Sequence, residues 1–413
     1  MRQRALASLT SVVAALTACD GRPAGNDTTL VRDSAGVRIV ENATPRSADS
    51  WAVGEPLLSI GVDSADEATQ LYQVVGALRT RDGVTLVANG GSNAILRFSP
   101  SGEYVGSTGG PGEGPGRFRT LTWFGRGTND SLVVWDRGLG RVTILAPDGT
   151  FVRQYQPTLP ENPMTLVVRG QIGEHRLLVS RDENMVSTDG DAGIQRQPVA
   201  AWLTTESSGE VVQFGPFPGA AVYINPDGPS GRQSRTPVPY GAATLIKASR
   251  EYVYVADNAS YDIKQYNPDG NIERIIRRPH APLRVEPADL EAEIQERLKP
   301  LPPIPQVRER AQMALEAVPA PEFIPPVRSI QIDVEGCIWV ESGRHVTAPA
   351  TSWSVFDQDG NWLADVTVSA DFEPLDIGST YILGKRLGEF DVESIEVLEL
   401  KRPAEICSHQ AAR

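Results

Sequence analysis

Three polar side chains recur at one position of an internal repeat, and their oxygen atoms are of the kind that binds hard cations. Asn89, Asp136 and Asp257 each end an apolar segment, and a glycine follows each of them thirteen residues later. Amide and carboxylate oxygens are the usual protein ligands of calcium. An Asn or Asp at a strand end, however, commonly bonds to the backbone amides of its own turn. A metal site would break the repeat rather than follow it, so we predict turn caps and no metal, with calcium at these residues as the alternative.

Other motifs that could support catalysis are incomplete. The glycine-rich segment Gly109–Gly116 lacks the Lys-Ser/Thr pair of a phosphate-binding loop, so we interpret it as a crossover between β-units. No Gly-x-Ser-x-Gly nucleophile motif occurs. The histidines lie far apart, and none has a partner at metal-ligand spacing; they are His175, His280, His345 and His409. The sequence therefore predicts no catalytic residue.

The N-terminus has the pattern of an export signal. Two arginines among the first four residues precede an uncharged run over 5–18, which is shorter than the roughly 20 residues that span a bilayer. The run ends in Leu-Thr-Ala-Cys, which resembles the lipobox of bacterial lipoproteins. The resemblance implies a signal peptide at 1–18, a lipid on Cys19 and a polar tether at 19–35. The alternative is an ordinary signal peptide that contains a cysteine.

Charge and hydropathy limit the partners of the chain. Lys and Arg number 39 against 52 Asp and Glu, which gives a formal net charge of −13. Nucleic acids are bound by clustered basic residues, so we exclude them as partners. No second apolar run is long enough to span a bilayer, so we expect membrane contact through the N-terminal lipid only. The expected location is the cell envelope, on its periplasmic or cell-surface side.

The two remaining cysteines have two possible states. Cys337 lies in an apolar segment and Cys407 lies in the C-terminal tail. An exported chain meets an oxidising compartment, where two thiols can form a disulfide. Pairing depends on the spacing of the Cβ atoms, which the sequence does not give. A disulfide between them and two separate thiols are therefore both open.

An internal repeat organises most of the chain. Three segments align without a gap, at 84–102, 131–149 and 252–270. Each combines alternating apolar and polar residues with a Pro-x-Gly turn, which predicts strands joined as hairpins. Weaker copies lie at 176–209, 337–360 and 379–400. Each unit has room for about four strands, so we predict six four-stranded units.

Radially repeated four-stranded units around a channel form a β-propeller. The turns at Asp136 and Asp257, the Pro-Asp-Gly turns and the segment GEGPGRF at 112–118 resemble the six-bladed NHL-like propellers of exported bacterial proteins. The resemblance covers roughly residues 36–402 and implies an all-β, six-bladed β-propeller followed by a tail at 403–413. Two packed β-sandwiches are the alternative, but a sandwich gives no reason for one turn to recur in register.

Two segments do not fit the repeat. The short strands Val37–Val40 and Leu57–Ile60 precede the first unit, and we expect them to complete the last blade and so close the ring. Residues 279–326 are rich in proline and contain two helical patterns, the first beginning at Pro287. We predict a helical insertion between the fourth and fifth blades, as a flap over one face or a brace on the surface.

Two functions of different classes remain open at this stage. The first is a lipid-anchored binding or scaffold module for a protein, peptide or glycan outside the inner-membrane barrier. The second is a hydrolase or lyase at the mouth of the central channel, since the six-bladed groups that the chain resembles include calcium-dependent lactonases and metal-dependent lyases. Unlike polar residues that converge at the channel mouth, or a bound metal, would favour the second function.

Overall fold

The computed structural model describes residues 29–46, 51–61, 69–174, 176–183, 191–206, 211–226, 233–388 and 392–403. The predicted signal peptide, Cys19 and Cys407 lie outside these ranges. Strands predominate in the described residues, and two helices interrupt them late in the chain. The fold is therefore all-β, as the alternating pattern predicts.

The first third of the chain forms an N-terminal arm and two four-stranded antiparallel sheets. The arm contains β1 (Thr29–Ser34), β2 (Val37–Asn42) and β3 (Ala52–Ile60). The first sheet consists of β4 (Val74–Arg79), β5 (Thr85–Asn89), β6 (Ala94–Phe98) and β7 (Tyr104–Gly109). The second consists of β8 (Leu121–Arg126), β9 (Leu132–Asp136), β10 (Arg141–Leu145) and β11 (Phe151–Tyr155).

The middle of the chain contributes nine strands to one eleven-stranded sheet. Its first part is β12 (Leu166–Ile172), β13 (Arg176–Arg181), β14 (Gly193–Leu203), β15 (Val212–Asn225) and β16 (Ser234–Pro237). Its second part is β17 (Thr244–Arg250), β18 (Tyr252–Asp257), β19 (Asp262–Tyr266) and β20 (Ile272–Arg277). The order across the sheet is β1-β2-β20-β19-β18-β17-β12-β13-β14-β15-β16.

The proline-rich segment forms two helices between two short paired strands. Its elements are β21 (Leu283–Arg284), α1 (Pro287–Leu298), α2 (Pro305–Glu316) and β22 (Phe323–Ile324). A proline opens each helix, where its missing N–H costs no hydrogen bond. Ile294, Leu298 and Leu315 are buried together, so the two helices pack on one another. The Arg297 side chain also donates to the carbonyl oxygens of Pro237 and Val238, which fixes α1 to the preceding sheet.

Two more sheets complete the described chain. One contains β23 (Val327–Ile332), β24 (Ile338–Ser342), β25 (Ala350–Phe356) and β26 (Trp362–Ser369). The other contains β27 (Phe372–Ile377), β28 (Tyr381–Leu387) and β29 (Glu393–Lys401), with β3 of the N-terminal arm as its fourth strand.

The number of separate sheets differs from the predicted six blades. The described residues form four separate four-stranded sheets, and the eleven-stranded sheet contains the other main strands. Its two parts are joined by three parallel residue pairs between β12 and β17, beginning with Gly170 and Ala248. A Cβ on Gly170 would lie 2.1 Å from the Ala248 carbonyl oxygen, so only glycine allows the two strands to meet. The repeat pattern did not indicate this contact.

One of the two N-terminal strands has different partners from those predicted. Of the predicted pair, the Leu57–Ile60 strand does lie in the last sheet, because β3 pairs with β29. The Val37–Val40 strand does not: β2 pairs with β1 as a hairpin and runs parallel to β20. Asn42 fixes this position by donating to the carbonyl oxygens of Arg277 (3.1 Å) and Gly360 (3.0 Å). β1 also occupies part of the range that we expected to be a tether.

The hydrophobic core lies between neighbouring sheets rather than in one central mass. One cluster joins β4–β6 to β8–β10, and the next joins β9–β10 to β12–β13. Further clusters lie between β12–β15 and β17–β19, between β18–β20 and β23–β25, and between β24–β26 and β27–β29. A cluster of β28, β29, β3 and β4–β6 returns to the first sheet. The arrangement is propeller-like, and it leaves the first strand of each group near the centre.

Candidate functional site

A cavity of about 650 Å³ lies where the innermost strands end. Residues of β4, β8, β12, β17, β23 and β27 line it, together with the loops that follow several of them. Ligand sites commonly have volumes of about 300–1,000 Å³ and combine an apolar wall with a few polar groups. We call this space the channel-mouth cavity.

The apolar wall of the channel-mouth cavity comes mainly from β8. Trp123 and Phe124 both line it. The Trp123 ring lies across Gly125, where a Cβ would come within 2.4 Å of the ring, so glycine is needed for this ring position. Leu78, Ile332 and Leu375 extend the apolar surface on the neighbouring strands.

One side of the cavity carries a network of paired charges. Arg126 is 3.3 Å from Asp376 and 3.5 Å from Asp130, so it forms ion pairs with both carboxylates. Asp376 also accepts hydrogen bonds from the Arg79 backbone N–H (2.9 Å) and the Tyr381 hydroxyl (2.8 Å). Burial, followed by the charge of Asp376, raises the pKa of Tyr381 far above its usual value. This hydroxyl therefore stays protonated and acts as a donor.

Lys247 is a charged residue of the cavity that combines a lowered pKa with the lack of a bonded partner among the described residues. It lies on the innermost strand β17, where Ile246 and Ala248 face the core and Lys247 alternates away from them. It has no hydrogen bond and no ion pair with any residue in the described ranges. Burial, and after it the charge of Arg169, lower the pKa of Lys247 to about 8, while the charge of Glu373 acts in the opposite direction.

A polar acceptor also lacks a partner at this cavity. Gln171, on β12, is buried and donates through its amide nitrogen to the carbonyl oxygens of Gly173 (2.9 Å) and Glu174 (3.0 Å). Its Oε1 atom is buried and has no hydrogen-bond partner among the residues that the structure places. An unsatisfied buried acceptor is unfavourable, so a ligand with an O–H or N–H group would stabilise it.

A second cavity, of about 610 Å³, lies between the last two sheets and the insertion. Glu296 of α1 and Lys299, directly after this helix, line its rim, so the helical insertion borders this opening. Inside it, Lys385 pairs with Glu373 at 3.1 Å. Gln331 lines both this cavity and the channel-mouth cavity, which places the two on one path near the centre.

The predicted oxygen ligands do not line the channel-mouth cavity, and the structure does not bring them together. Asn89 accepts from the Tyr72 backbone N–H at 2.9 Å, and Asp136 accepts from the N–H groups of Arg119 (2.9 Å) and Thr120 (3.0 Å). Each of the two therefore bonds to backbone of the segment that leads into the first strand of its own sheet. The described ranges contain no group of three or more His, Cys, Asp or Glu residues that could hold a metal. That Asn89, Asp136 and Asp257 bind no metal therefore stays a prediction from the sequence.

Asp257 departs from the other two copies of the repeat. The neighbouring residue, Asn258, is buried and accepts from the Ala243 backbone N–H at 2.6 Å, which is the capping bond of this unit. Asp257 instead pairs with Arg196 at 2.9 Å and accepts from the Ala259 backbone N–H at 3.2 Å. The repeat alignment therefore marked the position of the cap one residue too early.

The histidines that the structure describes lie outside the channel-mouth cavity. His345 Nδ1 is 2.8 Å from Asp289, so it joins the loop after β24 to helix α1. His280 stacks on Tyr261 with 6.2 Å between ring centroids. His175 and His409 lie outside the described residues. The two described histidines thus contact neighbouring protein groups.

Cys337 is disulfide-bonded, and Cys407 lies outside the described residues. The Cys337 backbone N–H donates to Asp333 Oδ1 at 2.8 Å. The other carboxylate oxygen of Asp333 accepts from Arg402 at 2.6 Å, and both side chains of this ion pair are buried. The chain at Arg402, five residues before Cys407, therefore lies beside the loop that contains Cys337.

The residues that distinguish the cavity were not predicted from the sequence. Lys247 gave a weak signal, because it is a charged residue inside the apolar strand sequence Thr-Leu-Ile-Lys-Ala. Arg126 and Asp376 belong to sheets far apart in the chain, and no local pattern relates them. Gln171 carries no sequence signal at all.

Comparison with known proteins gives no family for the chain. No protein-family model matches it, and no curated protein matches it. Similar solved structures include a Bacteroides fragilis protein described as exported (10% identity, TM-score 0.40, 88% of this chain and 98% of that chain). They also include a DUF4221 family member from Bacteroides vulgatus (11%, 0.42, 86% and 100%) and a streptogramin B lyase (12%, 0.36, 83% and 96%). Values this low assign neither a family nor an activity.

Proposed function

We propose that the chain is an exported, lipid-anchored, six-bladed β-propeller that binds a peptide or glycan group in the channel-mouth cavity. The observation that carries the proposal is the cavity itself, to which six innermost strands contribute. A protein partner would present such a group on a projecting segment. Trp123 offers an aromatic wall, and the unpartnered Gln171 Oε1 offers an acceptor to a hydroxyl or amide of the ligand.

Two features support the count of six blades. The strands β12–β15 and β17–β20 are each four consecutive antiparallel strands, and only a short parallel pairing joins them. Hydrophobic clusters also lie between successive groups of strands and return from the last group to the first. We therefore count the eleven-stranded sheet as two blades with extra edge strands.

A hydrolase or lyase at the same cavity is the second candidate. The observation that favours it is the convergence of unlike polar groups: Arg126, Asp376 and Lys247 all line the channel mouth. Mass spectrometry of a probe after incubation with the protein distinguishes the two functions. A binding module leaves the mass of the probe unchanged, whereas a hydrolase or lyase converts it into products of different mass.

Blocking the cavity tests the binding proposal. Thr128 is exposed on a loop at the cavity rim, so Thr128→Trp should fill the opening without disturbing the core. We expect some members of a panel of short peptides and of neutral and acidic oligosaccharides to raise the melting temperature of the native protein but not that of this variant. Thr150→Trp, on an exposed turn outside the cavity, is the matched control. Ligand binding that survives Thr128→Trp, or no effect from the whole panel, would contradict the proposal.

The anchor and the location rest on the N-terminal sequence. In the described ranges, no helix is long and apolar enough to cross a membrane. We propose that a lipid on Cys19 holds the protein in the cell envelope, on the periplasmic or cell-surface side. Cys19→Ser should abolish acylation and release the protein into the soluble fraction, or leave it unprocessed. A variant that fractionates with membranes and migrates like the native protein would show that no lipid is attached.

We also propose that Cys337 pairs with Cys407. Arg402 supports this pairing, because its buried ion pair with Asp333 brings the C-terminal segment beside the Cys337 loop. A disulfide there would tie the end of the last blade to the preceding one.

A further inference from the structure

Lys247 lies in the channel-mouth cavity without a counterion. No carboxylate in the described part of the chain lies within ion-pair distance of it, although acidic residues line the same cavity. Asp130 and Asp376 are paired with Arg126, and Asp333 is paired with Arg402. Glu251, also at the cavity, is exposed and forms no ion pair with Lys247. A half-buried ammonium group without a partner is unfavourable, because it loses hydration and gains no opposite charge.

A second cation lies beside Lys247. The parallel pairing of Gly170 with Ala248 makes Arg169 and Lys247 the next positions along the two strands. Arg169 donates to the Ser180 hydroxyl at 2.8 Å, and the nearby charges of Asp182 and Glu183 partly offset its own. Glu373 is the acid whose charge acts on Lys247, and it is bonded to Lys385. Lys247 at the cavity thus has a second positive charge on the neighbouring strand, and no acid in the described ranges is bonded to Lys247.

We propose that Lys247, with Arg169 beside it, binds an anionic group of the ligand, a carboxylate or a phosphate, in the channel-mouth cavity. The inference rests on the proposed binding function and names the chemistry of the group bound. An anion would accept charge-assisted hydrogen bonds from the Lys247 ammonium group and offset the repulsion between the two cations. A hydroxyl or amide on the same ligand would lie beside Gln171, whose buried Oε1 atom has no hydrogen-bond partner in the described ranges. An acidic sugar and the carboxyl end of a peptide both have this combination.

Titration with simple anions tests the inference. The probes are inorganic phosphate and citrate, with glycerol as a neutral control, measured by isothermal titration calorimetry on the intact soluble domain. We expect Lys247→Met to weaken binding of the preferred anion by at least about tenfold. Lys247→Arg, which keeps the charge, should retain most of the affinity. Lys264→Met, a substitution on β19 outside the cavity, is the matched control.

Proton uptake provides a second readout. Because an anion favours the charged form of Lys247, binding at pH 8 should take up protons, and the measured heat should depend on the ionisation enthalpy of the buffer. Lys247→Met should remove that dependence. Equal affinity in Lys247→Met and the native protein, or no anion binding, would overturn the inference. If neutral members of the peptide and oligosaccharide panel bind and Thr128→Trp still blocks them, the binding function stands and only the anion assignment fails.

Discussion

Replacing Lys247 by methionine is expected to raise the free energy of unfolding at pH 7 by about 2 kcal/mol. The pKa of this lysine falls from its usual 10.5 to about 8 in the folded protein. One pKa unit corresponds to about 1.4 kcal/mol, and we reduce the full value because water reaches the cavity. Methionine keeps most of the length of the side chain and removes the charge. A substitution in the ligand cavity would then increase stability while it weakens binding.

The sign of this effect follows from proton linkage. Below about pH 8, Lys247 is charged in both the folded and the unfolded states, and the folded state bears the full desolvation cost. Between about pH 8 and 10.5 the unfolded state binds more protons, so the stability of the native protein rises with pH. The advantage of Lys247→Met should therefore be complete at pH 7 and nearly lost at pH 10.5. Chemical denaturation at these two pH values measures it.

Lys264→Met again provides the comparison, because Lys264 lies outside the channel-mouth cavity. It should change stability little, and equally at both pH values. A Lys247→Met variant that is less stable than the native protein at pH 7 would show that the lysine makes a net favourable interaction within the fold. The charge of Lys247 would then not destabilise the fold, and a bound anion would have no such cost to offset.

Local sequence signals predicted the strands and helices well. Alternation and Pro-x-Gly turns mark the hairpins that contain β5–β6, β9–β10 and β18–β19, because these pairings form between neighbouring segments of chain. Pro287 correctly marks the first residue of α1. The prediction that Asp136 caps its own turn accounts for the bond from the Leu139 backbone N–H at 3.2 Å. It did not indicate the bonds from the N–H groups of Arg119 and Thr120, which lie 17 and 16 residues earlier in the chain.

The site and the N-terminal pairing depend on contacts between distant segments. Arg126 meets Asp376 across about 250 residues of chain, and Asn42 meets Gly360 across 318. The β2 sequence is equally suitable for the edge of the last sheet and for the edge of β20. Asn42 decides between them, because it donates to Arg277 at the end of β20 and to Gly360 in the turn between β25 and β26 of the neighbouring sheet. Such a choice depends on tertiary geometry, which neither periodicity nor composition encodes.

Stepwise deletion of the N-terminal arm should show which of its strands are dispensable edge strands and which one closes the ring. Deletion of 20–34 removes β1, whose side chains are mostly exposed, and should cost about 1 kcal/mol or less. Deletion of 20–50 also removes β2, with the buried Ile39, Val40 and Asn42, and should cost about 3 kcal/mol. Deletion of 20–61 removes β3 as well and should abolish the cooperative unfolding transition.

The large effect expected for β3 comes from its two-sided contacts. Trp51, directly before it, packs against Trp339 with 5.8 Å between ring centroids, in the cluster shared with the preceding sheet. Ile60, at its other end, belongs to the cluster that joins the last sheet to the first. Without β3, both clusters lose buried residues and β29 becomes an exposed edge. Far-UV circular dichroism during urea unfolding measures the transition. If the 20–61 deletion unfolds as cooperatively as the 20–50 deletion, the ring does not need β3 for closure, and the six-blade count loses its last blade.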